Sequence, residues 1–136
     1  MRNILAILLL SFVTACADQI HAANVEPDMS TLEGLLAAEK FAANELYTGP
    51  DLPEDGPQLI ALVDATVADL MAMSTPREAT LVKARLEKLI TDVDLFATED
   101  REQAYRYAVL AWRAAGFDSE SGLFSVPDSF VLSERL

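Results

Sequence analysis

Apolar residues recur at intervals of three and four along most of this chain, and no segment alternates apolar and polar residues for long. That period puts the apolar side chains on one stripe of a helix, and each stripe must be buried against another. Four segments carry it. The first opens at Ser30-Thr31-Leu32-Glu33, a capping box with Ser30 as N-cap and Glu33 reaching back to its amide. Its stripe is Leu32, Leu35, Leu36, Ala42, Ala43 and Leu46, stopped by Gly49-Pro50, while Phe41 lies off the stripe and is expected under a loop. Pro57 starts the second, with Leu59, Ile60, Val63, Val67, Leu70 and Met71, ending before Thr75-Pro76. The third has Thr75 as N-cap, Pro76 at the first helical position and Glu78 closing another capping box. Ala79, Val82, Leu86, Leu89, Ile90 and Val93 form its stripe. The fourth starts at Thr98-Glu99-Asp100, where carboxylates favour the helix dipole, buries Tyr105, Ala108, Val109, Trp112 and Ala115, and is capped by Gly116. The expected fold is all-α: a compact bundle of about four antiparallel helices joined by short turns. The last stretch, apolar at Phe117, Leu123, Phe124, Val126, Phe130, Val131 and Leu132, is expected to fold back across the bundle as an irregular segment.

At 136 residues and 51% hydrophobic composition the chain can build one domain with a real core. Ten Lys and Arg against 22 Asp and Glu leave a formal charge of −12, which argues against nucleic acid, since phosphate binding needs clustered cations. The imbalance is uneven. Ten carboxylates lie between Asp18 and Asp64 with Lys40 as the only cation, and the cations of the middle, Arg77, Lys83, Arg85 and Lys88, interleave with Glu78, Glu87 and Asp92 as a solvated face.

The first residues read as an address. Arg2 is followed by an apolar stretch from Ile4 to Val13, which as a helix rises about 15 Å, half the hydrocarbon core of a bilayer. This length fits an export signal rather than a membrane span. It ends in Val13-Thr14-Ala15-Cys16, which resembles the bacterial lipobox, an aliphatic residue and two small ones before an obligatory cysteine. The resemblance implies diacylglycerol on the Cys16 sulfur, cleavage before Cys16 and acylation of the new amino terminus. Several acyl chains at about 0.8 kcal/mol per buried CH₂ anchor stably. Ala15-Cys16-Ala17 also fits ordinary cleavage after Ala17, which would release a soluble protein. Ala17 stands where an Asp would favour retention at the inner membrane, so the resemblance implies the outer membrane, facing the periplasm. Residues 1–15 are then the signal, 16–28 a lipid-anchored leash and 29–136 the helical domain. Once the signal is removed the chain carries a formal −13 and is expected to stand off an anionic bilayer.

Residues with catalytic potential are sparse. The only Cys and the only His, His21, fall in the leader and leash, so a histidine-based triad and an ordinary zinc site are both out of reach. No glycine loop cradles phosphate; Gly34 is the one glycine away from a turn. Glu99, Asp100 and Glu102 could supply the paired carboxylates of a glycan hydrolase, although capping and dipole effects explain them too. Asp92-Val93-Asp94 and Asp118-Ser119-Glu120-Ser121-Gly122 fail the EF-hand pattern at the positions of Phe96, Ala97 and Gly122. No cofactor or metal is expected. Tyr105 and Trp112, seven apart, share a face and read as core, whereas Tyr107 points elsewhere and is a candidate contact for a sugar or a partner.

The run from Ala97 to Phe124, ATEDREQAYRYAVLAWRAAGFDSESGLF, resembles the C-terminal signature of a small bacterial family of unknown function. In that family an acidic TEDRE-type helix start precedes a tyrosine-bearing helix and a GL-x-SS-x-G-type ending. The ending here departs from the pattern at Phe117 and Glu120, and Tyr47-Thr48-Gly49-Pro50-Asp51-Leu52 is compatible upstream. The resemblance spans most of residues 29–124. It implies a compact helical domain and brings no activity, so it transfers no functional residue.

These features predict a non-catalytic envelope lipoprotein, joined to the membrane through its N-terminal lipid at Cys16. Its helical domain would bind another protein, of basic character, in the manner of an inhibitor or immunity protein. Glu99, Asp100 and Tyr107 are the candidate partner contacts. A carboxylate-dependent cell-wall glycan hydrolase and a carrier of a small apolar ligand are the competing classes.

Overall fold

The computed structural model describes residues 27–118. The expected signal, Cys16, nearly all of the leash, and the C-terminal segment from Ser119 onward lie outside the described residues. Within them the chain is all-α, with helices α1 (Leu32–Ala37), α2 (Asp55–Ala72), α3 (Ala79–Asp92) and α4 (Thr98–Ala114). The three long helices pack on one another, and α1 lies against α2 and α4. Turns of six and five residues join α2 to α3 and α3 to α4, so neighbouring helices run antiparallel. None of these helices is long and apolar enough to cross a membrane.

The core follows the predicted stripes of α2 and α3 closely: Leu59, Val63, Val67 and Leu70 from one, and Val82, Leu86, Leu89 and the following Val93 from the other, are all buried. Each fully buried aliphatic side chain contributes about 1.5–3 kcal/mol relative to exposure. Helix α2 begins two residues before Pro57, which sits in the first turn, where a missing N–H removes no helical bond.

The helix starts differ from expectation in two places. Ser30 gives both its amide and its hydroxyl to the Asp28 carboxylate (3.0 and 2.7 Å), so the cap passes to Thr31, whose Oγ1 accepts from Gly34 N at 3.0 Å. These two donors also hold the Asp28 carboxyl below its ordinary value. At α3 the Thr75–Pro76 peptide is cis and belongs to the turn; the helix starts at Ala79 with Glu78 as an N-cap that makes no side-chain bond. Arg77 completes that turn by donating Nε to the carbonyl of Leu70 at 2.8 Å.

The largest departure is at the first helix, which stops at Ala37 instead of continuing to Leu46. Its reason lies at Glu39 and Lys40, where the apolar stripe is broken a full turn beyond Leu35 and Leu36. Lys40 is buried, and its ammonium donates to the carbonyls of Leu36 and Ala38 (2.9 and 3.0 Å) while lying 2.8 Å from Asp64 Oδ1. The next residue, Phe41, takes a left-handed φ of 57° that turns the chain away from any helix. Phe41 is thereby buried under the connection, while Ala42, Ala43 and Leu46 are exposed.

Candidate functional site

Residues 38–54 form an irregular connection that is fastened to α4 by buried polar contacts. Asn44 makes a tight turn, its Oδ1 accepting from the amides of Leu46 and Tyr47 (2.9 and 3.1 Å) and its own amide donating to Tyr47 O at 2.7 Å. The turn points Tyr47 inward and Leu46 outward, 68% exposed. Inside, the Tyr47 hydroxyl donates to Asp100 Oδ1 at 2.5 Å, and the amide of Asp51 donates to Asp100 Oδ2 at 3.2 Å. Burial first, and then donation to Asp100 and its negative charge, raise the Tyr47 hydroxyl far above its ordinary value. Asp100 lies in the first turn of α4, where the helix dipole further favours its charge. The amide of Phe41 donates to the hydroxyl of Tyr107 at 3.0 Å, and the Phe41 ring packs against both Tyr47 and Tyr107 with centroids 6.1 and 5.2 Å away.

Two of the three predicted contact residues are therefore committed to the interior. Asp100 is fully buried and Tyr107 is 6% exposed; both hold the connection in place, and only Glu99 of the three faces solvent. Tyr107 is core because the buried face of α4 is rotated from the predicted stripe. It comprises Asp100, Gln103, Ala104, Tyr107, Ala108, Ala111 and Trp112, while Tyr105 and Val109 are only half-buried. Phe41, expected under a loop, is buried there, whereas the anchoring roles of Lys40 and Tyr47 are not expected from the sequence. The Glu39-Lys40 break in the stripe is a signal for Lys40, and no pattern points to Tyr47.

What the connection leaves outside is one-signed. Asp28, Glu33, Glu39, Glu45, Asp51 and Glu54 are exposed, and the only cation of that stretch, Lys40, is enclosed against Asp64. Between these carboxylates stand Leu46 and Leu52, two of the four large hydrophobic residues exposed to this degree among the described residues. Glu99 adds its charge beside Asp100, and Leu95, 96% exposed, stands in the turn that leads into α4. Along residues 28–54, then, the exposed side chains are acidic with two interspersed leucines, a combination of one-signed charge and apolar area.

The three long helices are electrically mixed. Arg85 pairs with Asp69 (2.6 Å), Lys88 with Asp92 (2.5 Å), Lys83 with Glu87 (3.8 Å) and Arg101 with Asp94 (3.1 Å). Between the end of α3 and the start of α4 lies a groove of about 280 Å³, lined by Ile90, Val93, Asp94, Thr98, Arg101, Glu102 and Tyr105. Of the three carboxylates considered for glycan chemistry, Glu102 borders this groove, Glu99 is exposed on α4 and Asp100 is buried. Among the described residues no three His, Cys, Asp or Glu side chains converge to hold a metal ion.

One family model, described as a domain of unknown function (DUF4844), matches residues 22–126. Neither a search of curated proteins nor one of solved structures finds a match.

Proposed function

We propose that this chain, which belongs to the DUF4844 family, is a non-catalytic helical module that binds a basic protein at the cell envelope, as an inhibitor or immunity-type protein would. The observation carrying this reading is the face of residues 28–54, where six exposed carboxylates and two exposed leucines stand with no exposed cation. A single-signed surface steers an oppositely charged partner and repels like-charged ones, and its leucines supply the apolar area that charge alone cannot. The lipobox-like Val13-Thr14-Ala15-Cys16 supports export and anchoring through Cys16, at the outer membrane facing the periplasm. The twelve leash residues that follow Cys16, with a reach of about 20 Å, would let an acidic body stand off an anionic bilayer with this surface free.

The test is capture from envelope extract on immobilised protein, in parallel with Glu45→Lys and with the pair Leu46→Ser and Leu52→Ser. The expected partner binds the unaltered protein, is released between 50 and 300 mM salt as screening length shortens by roughly half, and is lost from both variants. A partner retained equally by all three proteins and insensitive to salt would overturn the reading.

A further inference from the structure

Tyr105 and Tyr107 exchange the places expected of them. Tyr107 is inside the bundle, and Tyr105 is half-buried beside the α3–α4 groove. The apolar part of this groove is Val93, almost wholly buried, with half-buried Ile90 and the Tyr105 ring. Its polar groups are unequally engaged. Arg101 donates Nη1 to Asp94 Oδ1 at 3.1 Å and Nη2 to Thr98 Oγ1 at 3.3 Å, so these three satisfy one another. Glu102, by contrast, is half-buried, and among the described residues its carboxylate has no hydrogen-bond or ion-pair partner. The cation one turn further along α4, Arg106, donates instead to Gln103 Oε1 at 3.4 Å. Glu102 and Tyr105 are three apart, which makes them neighbours on the helix surface.

Size and charge select what can enter. The groove, at about 280 Å³, lies at the bottom of the roughly 300–1,000 Å³ range of small-molecule pockets, so it suits one long side chain better than a cofactor. An apolar side chain would cover Ile90 and Val93 but leave Glu102 desolvated without a partner. An acidic one would meet Glu102 and Asp94, with Arg101 already committed. A cation on an aliphatic stem answers both parts: the stem lies on apolar surface while the head stays at the open rim. Of the two such side chains, arginine fits better. Its guanidinium is less strongly hydrated than an ammonium, stacks on an aromatic ring and pairs with a carboxylate through two parallel bonds.

We infer that the α3–α4 groove receives an arginine side chain of a protein partner, with its stem over Ile90 and Val93 and its guanidinium on Tyr105 and Glu102. The identity of the protein that carries the arginine rests on the reading of this chain as a binder of a basic protein; the groove itself does not. Its lining comes from residues 90–105, separate in sequence from the carboxylates of residues 28–54, and both ask for a partner of the same sign. An arginine enclosed by apolar and aromatic groups is of the type that dominates binding energy at interfaces.

Titration of the full-length chain with N-acetylarginine methylamide, followed by NMR, tests the groove without any partner protein, so its failure is distinct from a failed capture from envelope extract. Shifts are expected at Ile90, Val93, Glu102 and Tyr105, saturating in the millimolar range. The citrulline analogue, which has the same shape and no charge, should bind about three- to fivefold more weakly, as for loss of a solvent-accessible ion pair. Glu102→Gln, at a side chain that bonds to nothing in the fold, should lower the arginine affinity to the citrulline level. The lysine analogue should fall between the two. Shifts confined to residues 28–54, or no shift at the groove, would overturn the assignment. Equal binding of arginine and citrulline analogues, or an affinity unchanged by Glu102→Gln, would overturn it as well, and a lysine analogue that binds as tightly as arginine would overturn the choice of guanidinium.

Discussion

The Tyr47 hydroxyl and the Asp100 carboxylate meet at 2.5 Å across 53 residues of chain, and neither side chain is open to solvent. This contact, with the Asp51 amide on the other carboxylate oxygen, converts an irregular connection into a fixed surface. Removing the hydroxyl with Tyr47→Phe leaves a buried carboxylate short of a donor and should cost about 1.5–3 kcal/mol, as for hydrogen bonds to charged groups. Asp100→Asn keeps one acceptor but sets an amide NH₂ against one of the two donors, and about 1–3 kcal/mol is expected. Because the two act on one contact, the double variant should be less destabilised than the two singles added together. Urea unfolding of the four proteins measures this; full additivity would show that the pair is not coupled.

The same contact predicts an alkaline limit to stability. Burial and the neighbouring Asp100 hold the Tyr47 hydroxyl above its ordinary value of 10.0 in the folded protein. The unfolded chain therefore releases this proton first. Stability from this group is complete below pH 10 and is lost as pH rises through and beyond it, at a slope approaching 1.4 kcal/mol per pH unit. Tyr47→Phe should flatten that decline, leaving the smaller share of Tyr105, which burial also raises. Melting temperatures followed from pH 8 upward would check it, and an equal slope in both proteins would contradict it.

Gly34 offers a test of sign. In a helix interior, Gly→Ala normally stabilises by about 1 kcal/mol. Here a β-carbon would overlap the carbonyl oxygen of Asp28, a backbone atom that also holds the amide and hydroxyl of Thr31. Gly34→Ala should therefore destabilise, by more than Gly116→Ala. Gly116 has open space around it and incurs only the left-handed backbone cost of about 1–2 kcal/mol. A stabilised Gly34→Ala protein would mean that the Asp28 turn yields freely.

Lys40 is expected to matter more than its charge pair suggests. Lys40→Met removes the donor for two helix-end carbonyls as well as the partner of Asp64. Loss should be about 1–3 kcal/mol, below the usual cost of breaking a buried pair, because Asp64 is 37% exposed and can be rehydrated. An unchanged denaturation midpoint would show that the connection is held without it.

Cys16→Ala should abolish metabolic labelling with a radioactive fatty acid and move the protein from the membrane to the soluble fraction. Membrane retention that is unaffected by this change would separate the anchor from Cys16.

Periodicity determined the all-α class and the buried stripes of α2 and α3, because a helix that buries one stripe needs apolar residues every three or four positions, and Gly116 marked the chain's exit just beyond the end of α4 at Ala114. The buried face of α4 followed that logic only at Ala108, Trp112 and Ala115. The rest of it is built from Ala104, Ala111, Asp100, Gln103 and Tyr107, whose small size or polar atoms disguise it in any count of hydrophobicity. Whether a polar residue lies inside depends on a donor that comes from elsewhere in the chain, and the donors to Asp100 come from Tyr47 and Asp51. Only tertiary structure could therefore decide that Asp100 and Tyr107 are anchors, that Lys40 is enclosed, and that the remaining carboxylates of residues 28–54 face solvent without an exposed cation among them.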